Sequence, residues 1–181
     1  MIAVYCPQDA LYQDRLEILK SLGMEPSFHH LTLAEMSAKH TALYNIKNVC
    51  ADLAAGGDGL LLFSVVAVGR RVLRVPHDQE TAGRYLRLIS GRRHRVYTVL
   101  LWTQGEKKSL KIAQTWVRVK PLTSQEIEHF IVSDDWRNRP GAYLGSLAFM
   151  AHVQEIGGHP CWNLGVPLYE LQQVAKTFRA V

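Results

Sequence analysis

Arginine is the residue type that stands out as able to do chemistry in this chain. Arg70, Arg71, Arg74, Arg84, Arg87, Arg92, Arg93 and Arg95 fall within 26 residues, with only Asp78 and Glu80 to offset them. Guanidinium forks pair with phosphate oxygens, so the stretch points to a surface for polyphosphate or nucleic acid. A solvated helix face with charged strand ends is the competing reading. No aromatic-interleaved single-strand motif accompanies the arginines, so nucleic acid ranks low as a partner. Asp78 could serve chemistry or cap a helix. Ser90 stands just before Gly91, where it could bond a ligand or close a helix. His94 opens a strand, as a packed histidine or a ligand contact. His29-His30 points to metal only weakly, because adjacent strand residues face opposite ways. Cys6, Cys50 and Cys161 are odd in number, widely spaced and without zinc spacing. They fit reduced thiols in a cytosol.

The elements that must position these residues follow from apolar period and stop signals. Residues 2–6 read as a short strand. Residues 14–22 carry Ile18, Leu19 and Leu22 at helical spacing before Gly23. A longer helix starts at Thr32 or Ala42 and ends at Ala55, with Leu43, Ile46, Cys50 and Leu53 on one face. The run Leu60 to Val68, bounded by glycines, reads as a central strand buried on both faces. Gly69-Arg70 turns into a return strand, Arg71 to Arg74. Asp78 caps a helix whose stripe is Ala82, Tyr85, Leu86 and Ile89, closed by Gly91. Strands follow over 96–102 and 109–119, then a capping box at Thr123-Ser124-Gln125-Glu126. Residues 136–150 start irregularly. The last helix carries Leu168, Leu171, Val174, Ala175 and Phe178. Strands alternating with helices give an α/β class with a mixed sheet.

At 181 residues, 48% apolar and 20% charged, the chain has the size and composition of a soluble globular domain that needs no staples. Its longest apolar run is far shorter than the ~20 residues of a membrane span. The start has no basic n-region, so the expectation is a cytoplasmic protein with no membrane contact.

Four blocks, in order, resemble the Maf family of nucleoside triphosphate pyrophosphatases. Residues 15–23, Arg-Leu-Glu-Ile-Leu-Lys-Ser-Leu-Gly, are similar to the helix after that family's Ser-Pro-Arg-Arg loop. Residues 88–98 are similar to its Leu-Ser-Gly-x-x-His-x-Val-x-Thr. Pro140-Gly141-Ala142-Tyr143 is set like its Asp-Lys-Ala-Gly-Ala-Tyr, and residues 163–168 resemble its Val-Gly-Leu-Pro-Leu. The resemblance implies one domain over residues 1–181, of Maf/ITPase-like architecture, with an elongated central sheet flanked by helices and two lobes around a cleft. It implies cleavage of a nucleoside triphosphate, or another phosphorylated small molecule, with magnesium or manganese. A homodimer is an allowed assembly.

Carried over residue by residue, the resemblance makes Arg15 and Arg139 phosphate-binding and gives Lys47 and Asp78 to catalysis. It puts Ser64, Ser90 and His94 against the substrate. Several matches are missing. Asp14 replaces the first arginine of the loop, whose residues 6–15 read Cys-Pro-Gln-Asp-Ala-Leu-Tyr-Gln-Asp-Arg. Phe63-Ser64 stands where the family has Asp-Thr, whose aspartate is the proposed general base. Val75 replaces a lysine, Asn138 replaces an aspartate, and Leu144-Gly145-Ser146 replaces a Gly-x-Gln segment. Asp9 and Glu35 are other carboxylates near the implied cleft. Two readings follow: a pyrophosphatase of weak or altered activity, and a catalytically silent relative that binds a nucleotide or a protein partner. Restoring Phe63→Asp with Val75→Lys should raise pyrophosphate release if the pocket keeps its shape.

Overall fold

The computed structural model describes residues 2–7, 10–53 and 57–179. Seven strands make one mixed sheet: β1 (Ile2–Cys6), β2 (Pro26–His30), β3 (Gly59–Val68), β4 (Arg71–Leu73), β5 (Arg93–Gln104), β6 (Lys107–Val119) and β7 (Val153–Gly157). Their order is β2-β1-β3-β5-β6-β7, with β4 paired to the end of β3. β1 runs parallel to β2 and β3, whereas the other pairings are antiparallel. The helices are α1 (Tyr12–Ser21), α2 (Ala42–Leu53), α3 (Gln79–Ile89), α4 (Ser124–Val132), α5 (Leu147–Met150) and α6 (Leu168–Arg179). Elongated β5 and β6 and the flanking helices give the α/β, mixed-sheet architecture that the sequence implied.

β3 is the axis of the fold. Leu61, Phe63, Val65 and Ala67 pack with Ala42, Ile46, Val49 and Cys50 of α2. Leu60 and Leu62, from the other face, pack with Leu19 of α1 and with Leu171 and Val174 of α6. Val66 joins a third cluster with α3 and α4. Burial on both faces is what its unbroken apolar composition required.

Local signals decide most boundaries. Asp78 accepts from the Thr81 N–H at 2.6 Å and starts α3. Thr123 and Glu126 make a reciprocal capping box on α4, at 3.2 and 2.9 Å. α2 starts at Ala42 rather than Thr32, because Thr41 Oγ1 accepts from the Tyr44 N–H at 3.2 Å. Its expected end at Ala55 lies outside the described residues. β5 and β6 run longer than the apolar pattern alone, since Gln104 pairs with Lys107 across a two-residue turn. β2, β7 and α5 carried no clear sequence signal.

One turn is held against β3 with no space to spare. The Gly141 N–H donates to the Arg74 carbonyl at 3.0 Å, and its φ is +65°. A Cβ there would lie 2.9 Å from three carbons of buried Val66. Gly141→Ala is therefore expected to cost about 2–4 kcal/mol in urea unfolding. Adding Val66→Ala should cost less than it does alone, because it relieves the clash. Strict additivity of the two would contradict this account.

Candidate functional site

Parallel strands β1 and β2 end together, and ligands of open α/β sheets gather outside such strand ends. The Leu31 N–H donates to the Cys6 carbonyl at 3.0 Å and fixes the chain there. Two cavities open at this place. The larger, about 580 Å³, is the more polar and is walled by Cys6, Gln13, His29, His30, Arg137 and Asn138, with the tilted ring pair of Tyr12 and Phe28 beside them, centroids 4.7 Å apart. Arg137 Nε pairs with Asp134 at 3.0 Å, and its guanidinium lies 4.7 Å from the Trp136 ring centre. The smaller, about 320 Å³, is walled mostly by Leu31, Leu33, Met36, Val65, Val72 and Val75. Ser64, Arg74 and His30 supply its polar part, and Arg74 Nη2 donates to the Leu33 carbonyl at 3.2 Å.

The residues expected to act on a ligand go to several places. Ser64 is 6% exposed, lines the smaller cavity, and its Oγ has no hydrogen-bond partner. Arg15 is fully buried, and its Nε donates to the Gly165 carbonyl at 3.4 Å. A Cβ on Gly165 would lie 3.0 Å from Arg15 Nη2 and 3.1 Å from Ser64 Oγ. The structure thus brings Arg15 and Ser64 together over one glycine that must stay bare.

The others stand apart from this pair. Lys47 is exposed on α2 and lines neither cavity. Asp78 is occupied as the α3 cap and also lies 2.9 Å from His77 Nε2. The Thr81 backbone hydrogen bond lowers its pKa. Ser90 Oγ accepts from the Leu122 N–H at 2.7 Å and ties α3 to the segment before α4. His94 is buried, with Nε2 hydrogen-bonded to the Tyr143 hydroxyl. Burial pushes its pKa down to about 4, against a weaker opposing pull from the Arg92 backbone, and pushes the Tyr143 phenol up. Arg139 Nη2 pairs with Asp135 at 2.7 Å, and Asp135 also accepts from Ser146. Glu35 is exposed and lines neither cavity, and Asp9 lies outside the described residues.

Position 63 lies in the core. Phe63 is fully buried between β3 and α2 and lines neither cavity. Among the described residues, no Asp or Glu lines either cavity, and no group of three His, Cys, Asp or Glu side chains could hold a metal ion. The donor set therefore does not fit a metal held by these side chains. The arginines that cluster in sequence also disperse. Arg93 stacks on Trp116 at 4.0 Å and shares Glu155 with Arg118, whereas Arg84 donates to Thr81. Arg74, Arg137 and His30 line the cavities, which their sequence positions alone did not show. Only the strand-end position of His30 could have marked it.

Comparison with known proteins agrees with this architecture. The family model described as Maf-like protein matches residues 13–178. A dTTP/UTP pyrophosphatase of Agrobacterium fabrum is 35% identical over 174 residues, covering 86% of this chain and 83% of that protein. A dTTP/UTP pyrophosphatase of Gluconobacter oxydans is 35% identical over 150 residues, covering 80% of this chain and 65% of that protein. A nucleoside triphosphate pyrophosphatase of Ehrlichia chaffeensis is 38% identical over 119 residues, covering 65% of this chain and 62% of that protein. No helix among the described residues is long and apolar enough to cross a membrane.

Proposed function

The chain belongs to the Maf family, and from that premise we propose that it is a nucleoside triphosphate pyrophosphatase whose hydrolytic step is strongly weakened. The observation that carries this reading is Phe63, a buried ring where the family resemblance puts a carboxylate base. In the reaction, water attacks the α-phosphorus, the bond from that phosphorus to the α–β bridging oxygen breaks, and monophosphate and pyrophosphate leave. A general base contributes roughly 10²–10⁴-fold to such a step, and that factor sets the expected deficit.

Ligand binding draws on groups that remain. Ser64 donates to an oxygen of the ligand, and Arg15 beside it supplies charge from a dry site, where it acts at greater strength than in water. Lys47, which the family resemblance gives to catalysis, is exposed on α2 outside both cavities and acts only on a part of the ligand that extends beyond them. Arg139 and Asp78 act through the scaffold they hold. The family works with a divalent metal. The donor set here favours magnesium or manganese entering on the nucleotide's own phosphates, since magnesium commonly binds through substrate phosphate and few protein ligands. The names of the relatives make dTTP and UTP the first substrates to try. Cytoplasmic location fits such a substrate, and a homodimer is an assembly to test by light scattering.

Ser64→Ala separates binding from folding. In the free protein the hydroxyl is buried without a partner, so its loss is expected to leave stability unchanged or slightly raised. Nucleotide binding should weaken about 5- to 10-fold, the worth of one hydrogen bond. Equal affinity of Ser64→Ala and wild type, by calorimetry with UTP, would remove Ser64 from the site.

The second reading, a silent relative that binds a nucleotide or a protein partner, is favoured by the joint loss of carboxylate at Phe63 and cation at Val75. Pyrophosphate release from a panel of nucleoside triphosphates with magnesium, manganese and cobalt divides the two. Slow release abolished by Lys47→Ala supports the enzyme; binding without any release supports the silent relative.

A further inference from the structure

We propose that His30 takes the proton of the attacking water in this chain, a role that rests on the pyrophosphatase reading above. His30 ends β2, stands in register beside Cys6 of β1, and is exposed. Among the described residues it alone belongs to the walls of both cavities, the more polar one of about 580 Å³ and the more apolar one of about 320 Å³. A nucleotide that spans both cavities carries its α-phosphate, the joint between nucleoside and polyphosphate, past the wall they share. The group at that wall is an imidazole.

Among the described residues, the other imidazole that lines these cavities is His29, which belongs to the larger cavity only. Neither cavity holds an Asp or Glu among those residues. His29 stacks on Tyr5 at 5.2 Å, and its Nε2 lies 3.5 Å from Ser27 Oγ. His94 is buried against Tyr143, and His40 packs tilted against Tyr44 outside both cavities. Imidazole is the side-chain type that exchanges a proton near neutral pH. The other titratable or charged groups that line these cavities are Cys6, Tyr12, His29 and Arg137 in one and Arg74 in the other.

The step balances simply. The water oxygen forms a bond to the α-phosphorus while a ring nitrogen of His30 takes one water proton. The bond to the bridging oxygen breaks, and pyrophosphate leaves with that electron pair. The imidazolium then returns its proton to pyrophosphate or solvent.

The test is single-turnover pyrophosphate release from UTP with magnesium, by wild type and His30→Gln, across pH 5 to 9. Binding of an α,β-methylene UTP analogue is measured alongside. His30 is exposed, so the variant should fold, and its melting curve checks this. The expected result is a wild-type rate that rises with pH to a plateau. His30→Gln should lose about 100-fold or more, keep its analogue affinity, and lose that pH dependence. In His30→Ala, added imidazole should restore part of the rate. An unchanged rate in His30→Gln, or equal loss of rate and affinity, overturns the proposal while the enzyme reading stands. So does a rate lost in Asp9→Asn but kept in His30→Gln. Wild type that binds the analogue and releases no pyrophosphate overturns both, in favour of the silent relative.

Discussion

Phe63→Asp is expected to destabilise the fold by about 4 kcal/mol or more, and the pair Phe63→Asp with Val75→Lys is expected to gain no pyrophosphatase activity. Phe63 is fully buried, pairs across the sheet with Val99, and packs with Ala42, Ile46 and Val49 of α2. Truncating a buried phenylalanine costs about 3–5 kcal/mol, and an unpaired polar group in its place adds about 1–3 kcal/mol. The sum is a large part of the 5–15 kcal/mol that holds a typical domain together. The sequence-based expectation of regained activity required the pocket to keep its shape. Position 63 lies outside both cavities. Leu31, Leu33 and Met36 pack against the same cluster as Phe63. A carboxylate at 63 would sit behind the wall rather than in the site. Urea unfolding and pyrophosphate release on the two variants check this. A folded double variant with raised turnover would show that the interface of α2 and β3 opens to substrate.

The second large effect is acid lability. His94 is 2% exposed, and burial lowers its pKa to about 4 from an ordinary 6.5. The folded state therefore resists protonation that the unfolded chain accepts. Its contribution is fully present above pH 6.5 and is lost progressively as pH falls from 6.5 to 4. The shift corresponds to about 3 kcal/mol. Carboxylates also titrate near the lower end, so the discriminating quantity is a difference between proteins. His94→Gln keeps a polar partner for Tyr143 and removes the titration. The wild type should lose about 3 kcal/mol more than His94→Gln between pH 6.5 and 4. Parallel stability curves would show that His94 is protonated in the fold.

The fold was legible where burial or capping is written in adjacent residues. β3 reads as a strand covered on both faces because nearly every residue in Leu60 to Val68 is apolar. α3 and α4 carry their caps in sequence at Asp78 and at Thr123 with Glu126. β2 and β7 did not read as strands because both are edges, Pro-Ser-Phe-His-His and Val-Gln-Glu-Ile-Gly, held by pairing rather than by apolar faces. The altered carboxylate position was visible at once, since Phe63 has no group that can take a proton. The cavities themselves were not visible. The cavities join the ends of β1 and β2 to β3, β4 and the turn before Pro140, which lie far apart in sequence. Nothing near Arg15 in sequence announces that it is buried and that Gly165 covers it.

The central claim is that this Maf protein binds nucleoside triphosphates and hydrolyses them slowly. The most direct measurement is the rate of pyrophosphate release from dTTP and UTP at saturating substrate with magnesium or manganese, beside the dissociation constant of the same nucleotides. Against a typical enzyme turnover of about 10 s⁻¹, loss of a base worth roughly 10²–10⁴-fold predicts about 0.001–0.1 s⁻¹ with measurable binding. Turnover on the order of 10 s⁻¹ or faster would contradict it, and would mean that Phe63 has cost the reaction nothing.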